Sequence, residues 1–93
     1  MSGKITVFIS SVTSSMEVRK HQMKIQDVLS GAKIDHEVVD VSANKEDLSR
    51  MRDIVGDSHA LAPQIVNGDN YCGNYEAFDE AVENKTLKEF LKL

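Results

Sequence analysis

Two short runs of strand-forming residues, KITVFI at 4–9 and DHEVVDV at 35–41, are separated by a helix-patterned stretch. This arrangement restricts the fold more than any other feature of the chain. Parallel strands cannot be joined by a tight turn; they need a crossover of a dozen or more residues, nearly always right-handed. The intervening stretch can supply it. Val18, Ile25, Val28 and Leu29 recur at helical spacing after Met16, Ser14 and Glu17 have the S-x-x-E spacing of a capping box, and Gly31 is placed to end the helix. A βαβ unit whose first strand is mostly buried is therefore expected.

The remainder extends that unit. A second helix is expected over 44–55, with Leu48, Met51, Ile54 and Val55 on one face and Gly56 as its stop. After the loop GDSHALA, the segment PQIVNGDNYC reads as an antiparallel hairpin. Pro63 admits only the start of a strand, Ile65 and Val66 favour one, and Asn67-Gly68 signals a tight type I′ turn. Asn74 can cap a third helix whose Tyr75, Phe78, Ala81 and Val82 share a face. Thr86 and Glu89 have capping-box spacing before a short last helix carrying Leu87, Phe90 and Leu91. The order β-α-β-α-β-β-α, with a terminal helical turn, predicts an α/β fold: one four-stranded mixed sheet flanked by helices on both faces. No repeat, low-complexity tract or linker divides it, and 93 residues suit a single domain spanning 1–93.

The charge balance narrows the partners. A net charge of −4 and no clustered Lys or Arg argue against a nucleic acid or an anionic membrane surface. The apolar run near the N-terminus is too short for a signal peptide or a membrane span. Ser2 stands where myristoylation requires glycine, and KEFLKL carries no prenylation cysteine. A cytoplasmic monomer, small enough to reach the nucleus, is the expectation. The single cysteine, Cys72, excludes an intrachain disulfide and any dithiol cycle within the chain. His21, His36 and His59 fall in separate elements without zinc-ligand spacing, so solvent-facing histidines and no metal are expected. Met16, Met23 and Met51 are expected to fill gaps on helix faces. Gly68 and Gly73 match no phosphate-binding loop.

Four stretches, taken together, carry a resemblance to a known family: SSVTSSMEV after the first strand, VVDVS ending the second, APQIVNGDNYCGNYEAFDEAVE through the hairpin, and TLKEFLKL. The chain resembles the SH3-domain-binding glutamic-acid-rich-like proteins, in the glutaredoxin-like branch of the thioredoxin superfamily, over essentially its whole length. Glutaredoxins place C-P-x-C where the first helix begins, so that the helix N-terminus stabilises a thiolate. Ser14-Ser15-Met16-Glu17 lies there in this chain, with Ser14 and Glu17 in the two cysteine positions. The resemblance thus implies a protein without dithiol catalysis, and Ser14 reads as a helix cap rather than a nucleophile.

It also implies a groove formed by Ser11, Val12, Thr13, Ser14 and Ser15, by Ala62 and Pro63, and by Cys72, Gly73 and Asn74. The matching proline in thioredoxin-like folds is normally cis, and the residue before it offers its backbone to an extended peptide or to glutathione. Only part of the glutathione-holding region is kept. Gly73 fits the second of two glycines, Cys72 fills the place of the first, and Tyr75 stands for an aspartate. No cofactor is expected, glutathione being the one small ligand the resemblance suggests. Longer relatives carry a proline-rich segment before the third strand; with one proline and no P-x-x-P, this chain gives SH3-domain binding no support. The expected function is a redox-inactive, cytosolic protein-interaction module that modulates glutaredoxins through a shared docking surface. The alternatives are a weak monothiol enzyme using Cys72 and a glutathione carrier without turnover. Cys72 itself reads as a half-buried apolar filler, with its thiol pKa raised by Asp69 and Glu76.

Overall fold

The computed structural model describes residues 4–93; Met1–Gly3, including Ser2, lie outside the described residues. The elements run β1 (Ile5–Ile9), α1 (Met16–Gly31), β2 (His36–Asp40), α2 (Lys45–Val55), β3 (Gln64–Asn67), β4 (Asn70–Asn74), α3 (Tyr75–Glu83) and α4 (Leu87–Phe90). The four strands form one sheet in the order β2-β1-β3-β4. β1 pairs parallel with β2, Val7 opposite Val38, and antiparallel with β3, Val7 opposite Ile65. The fold is thus a mixed α/β sheet in which the two central strands are the most apolar ones.

Alternation along those strands sends side chains into two cores. On one face Ile5, Val7 and Ile65 meet Ile25 and Leu29 of α1, with Phe78 of α3 and Leu91 closing the layer. On the other, Phe8 and Val66 meet Met51 of α2, Val41 and Ala60. Phe8, Phe78, Ile25, Leu29 and Met51 are completely buried, each worth about 1.5–3 kcal/mol against exposure. The faces of α1, α2 and α3 read from helical spacing supply these contacts, with one exception: Val18 is only half-buried and forms the wall of a cleft.

The ends of the elements depart from expectation in instructive ways. α1 is capped by Ser15 rather than Ser14, its Oγ accepting from Val18 N at 3.2 Å, so Glu17 is one residue too early to complete a capping box with the cap the helix uses. Gly31 is the last helical residue rather than the stop. The chain turns at Lys33, in the left-handed region at φ 58°, and Ile34 N closes back on Leu29 O at 2.9 Å. Lys85 after α3 and Lys92 after α4 take the same conformation. Thr86 does not cap α4, because its N–H and hydroxyl are both directed at Ala81 O, closing α3.

In the hairpin, Asn67 pairs with Asn70, leaving Gly68-Asp69 as the loop. Gly68 has φ 62° while Asp69 is not left-handed, the pattern of a type II′ rather than a type I′ turn. Asn67 stays in the strand and donates its side-chain amide to Leu91 O at 2.8 Å, tying the hairpin to the end of α4. Among the expected gap-fillers, Met51 is buried, but Met16 and Met23 are exposed at 64% and 63%. They flank the core stripe of α1 rather than lying on it.

Candidate functional site at the start of α1 and the turn before β3

The C-terminal end of β1 and the N-terminal end of α1 meet beneath the turn that leads into β3. Gln22, 6% exposed, pairs its amide with one backbone residue in both directions: Ser10 N donates to Oε1 at 2.8 Å and Nε2 donates to Ser10 O at 3.2 Å. This pair of hydrogen bonds fixes where β1 hands over to the serine turn. A second clamp follows at once. Ser11 Oγ donates to Asp40 Oδ2 at 2.5 Å and Ser42 Oγ to Asp40 Oδ1 at 2.6 Å, while Ser11 N and Ser42 N approach Asp40 Oδ1 at 3.2 and 3.0 Å. The hydroxyls of Ser11 and Ser42, followed by the two amides, hold the Asp40 carboxyl at a pKa of about 2.

Beyond the clamp, Thr13 Oγ1 accepts from Ser15 N at 3.2 Å, and Arg19 Nε donates to Thr13 O at 3.1 Å. Val12 and Ser14 are exposed. The hydroxyl proton of Ser11 is committed to Asp40, and the oxygen of Ser15 to the helix cap. Neither hydroxyl is hydrogen-bonded to a histidine, so neither has the serine–base pairing that acyl transfer needs.

A cleft of about 520 Å³ runs past this turn. Its floor includes Ala62, Pro63 and Gln64, and the Ala62–Pro63 peptide is cis. Gln64 is held from two sides, donating to Leu61 O at 2.8 Å and accepting from the Tyr71 hydroxyl at 2.7 Å. His21 and Tyr75 form one wall, stacked with ring centroids 3.7 Å apart and planes 2° from parallel; His21 Nε2 also lies 3.7 Å from Glu17 Oε1. His21 is thus packed rather than solvent-facing. His36 is half-buried with Nδ1 against Ile34 O at 2.8 Å, and His59 is exposed. A smaller pocket of about 320 Å³ adjoins the cleft, walled by Thr13, Val41, Leu48 and Arg52 and sharing Val18, Leu61 and Ala62 with it.

Of the ten groove residues expected from sequence, Ala62, Pro63 and Asn74 line the cleft, and Thr13 lines the adjoining pocket. Ser11, Val12, Ser14 and Ser15 line neither. Asn74 also caps α3, accepting from Ala77 N at 3.0 Å. Gly73 is buried against α4, where an added Cβ would come within 2.7 Å of Phe90 Cε1. Cys72 packs on the core face shared by α1 and α3, whereas its neighbour Tyr71 reaches the cleft. Burial pushes the Cys72 thiol up from its ordinary pKa, the nearby charge of Lys92 opposing this. The cause is desolvation, not the acidic neighbours in sequence. Among the described residues, no group of three or more His, Cys, Asp or Glu side chains is placed to hold a metal ion, and no helix is long and apolar enough to cross a membrane.

Sequence reasoning missed Gln22, the Asp40 clamp and the carboxylates of the cleft. Gln22 did leave a signal, a polar residue in the apolar stripe between Val18 and Ile25, and Asp40-Val41-Ser42 has the spacing of an Asx turn.

Comparison with known proteins agrees with this architecture. In Candida albicans, actin interacting protein Aip5 superposes with a TM-score of 0.77 at 25% identity, covering 95% of this chain and 87% of that one. Wild-type Aip5 gives 0.73 at 20% identity, over 96% and 92%. The holo form of glutaredoxin C1 from Populus tremula x tremuloides gives 0.70 at 14% identity, over 97% and 84%, and so shares the thioredoxin-like fold. A curated relative from Drosophila melanogaster, described as an SH3 domain-binding glutamic acid-rich protein homolog, is 34% identical across 96% of this chain, which spans 64% of that relative's length. The model of the SH3-binding, glutamic acid-rich protein family matches residues 3–93. With a glutaredoxin-like sheet and a family match along nearly its whole length, this chain belongs to the SH3-binding, glutamic acid-rich protein family.

Proposed function

We propose that this protein is a redox-inactive member of the glutaredoxin-like fold that works by binding other proteins through the cleft beside α1. The observation that carries this reading is what occupies the start of that helix. A capping serine and a carboxylate stand where thiol chemistry would need a thiolate, and the one thiol is half-buried against the core with its pKa raised. Disulfide exchange requires an attacking thiolate that a substrate disulfide can reach, and Cys72, half-buried with its pKa raised, is poorly suited to both needs. A floor of backbone at Leu61–Pro63 beside half-exposed aromatic walls suits an extended segment of another chain.

In this proposal the protein acts in the cytoplasm, with passage to the nucleus, and as a monomer that competes for glutaredoxin docking surfaces. The likeness to proteins named as actin interacting makes filamentous actin the first partner to test by co-sedimentation. The decisive experiment is a glutathione-coupled disulfide reduction assay beside a true glutaredoxin. No turnover above background is expected, for the natural chain and for Cys72→Ser alike. Turnover that Cys72→Ser abolishes would make the protein a monothiol enzyme instead.

A further inference from the structure

The cleft is unusual in its charge. Glu17, Asp57 and Glu76 line it, and no Lys or Arg does. Two of these carboxylates, Glu17 and Glu76, belong to the first turns of α1 and α3, at the positive ends of those helices. Asp57 is fixed by His59 N, which donates to its Oδ1 at 2.9 Å. Arg52 lies in the adjoining pocket and has its Nε committed to Ala60 O at 3.1 Å. Between the two cavities stands Leu61, 72% exposed. Leu61 and the pocket walled by Val18, Val41 and Leu48 together offer an apolar side chain a place to leave water.

From this geometry we infer that the cleft selects an extended, basic segment of a protein partner, with Lys or Arg side chains over the Glu17–Asp57–Glu76 wall and one aliphatic side chain against Leu61 in the adjoining pocket. The inference rests on the interaction-module reading and names the chemistry of its partner. The charge pattern works against glutathione, whose two carboxylates would lie in a field of their own sign. It works for a cationic chain by complementarity, which sets both the rate of encounter and the choice of partner.

The test uses two synthetic hexapeptides, acetyl-Gly-Lys-Leu-Arg-Leu-Gly-amide and its acidic counterpart with Glu at both charged positions, titrated into the full chain and followed by backbone amide NMR. The basic peptide is expected to shift residues lining the two cavities and to weaken about tenfold between low and high salt. The acidic peptide and glutathione are expected to give no saturable shift. In the triple variant E17Q/D57N/E76Q, which keeps side-chain size and the Asp57 acceptor position, basic-peptide affinity should fall roughly tenfold or more. Leu61→Ala should also weaken it, with no change in salt dependence. Equal binding of both peptides, binding unaffected by the triple variant, or no shift with either peptide would overturn the inference. None of these outcomes touches the redox-inactive reading, which fails only if the reduction assay shows turnover.

Discussion

Asp40 joins two strand ends that are far apart in sequence, and its carboxylate is useful to the fold only while ionised. Its folded pKa lies below the ordinary 3.8, at about 2. The stability it contributes is therefore complete above 3.8 and is lost as the pH falls through about 2. Because the group is open to solvent, screening reduces that contribution to about 1 kcal/mol. Asp40→Asn should lower stability by that order at neutral pH and flatten the acid limb of a urea-stability profile in this window. A variant with an unchanged acid limb would remove the clamp from the account. Gln22 carries a larger burden. Gln22→Ala strips both partners from the part-buried Ser10 backbone, and a loss of about 1–3 kcal/mol is expected in chemical denaturation. Neither residue's role was legible in the sequence, since the bonds span 12 and 29 positions and depend on how β1, α1 and β2 come together. Ser15 against Ser14 is a subtler case: either serine satisfies the local preference for a cap, and only the path of the preceding turn decides between them.

The helices themselves were readable because their apolar residues repeat at 3.6-residue spacing and the strands because theirs are continuous or alternate. Their ends were less so. Glycine is the usual residue for a left-handed helix stop, yet α1, α3 and α4 stop at Lys33, Lys85 and Lys92. A side chain in that conformation costs roughly 1–2 kcal/mol relative to the right-handed region. The tertiary position of Ile34, which packs on the core after the turn at Lys33, outweighs that local penalty. Lys33→Gly and Lys85→Gly should each relieve part of it and raise stability by up to about 1 kcal/mol, several degrees in melting temperature for a domain of this size. The paired variant should be additive, because the two sites belong to different helices; destabilisation by either would show that the lysine side chain has a compensating contact.

For the whole molecule, the fold followed from the order of elements, but the placement of Cys72 did not. Sequence proximity to Asn74 put it beside the groove, while strand alternation turned it to the opposite face, behind Tyr71. Its partial burial and raised pKa predict slow chemistry. Alkylation by iodoacetamide at neutral pH should run at least about tenfold slower than for an unstructured cysteine, accelerating only as the pH rises past the ordinary 9.0. Lys92→Ala, which removes the charge that opposes the upward shift, should move that rise to still higher pH. A fast reaction at neutral pH would contradict the buried placement. Cys72 does not line the cleft, so its oxidation should leave basic-peptide binding unchanged.

The ladder between β3 and β4 skips at Ile65/Val66, where Gly73 and Tyr71 pair with successive residues and Cys72 is left over. β4 is an outer strand of the sheet, and such strands expose a row of backbone donors and acceptors to any other chain that can match their repeat. An extra residue breaks that repeat and bends the strand. The bulge therefore guards this one margin against fibrillation: along β4 an incoming strand finds no continuous register to copy.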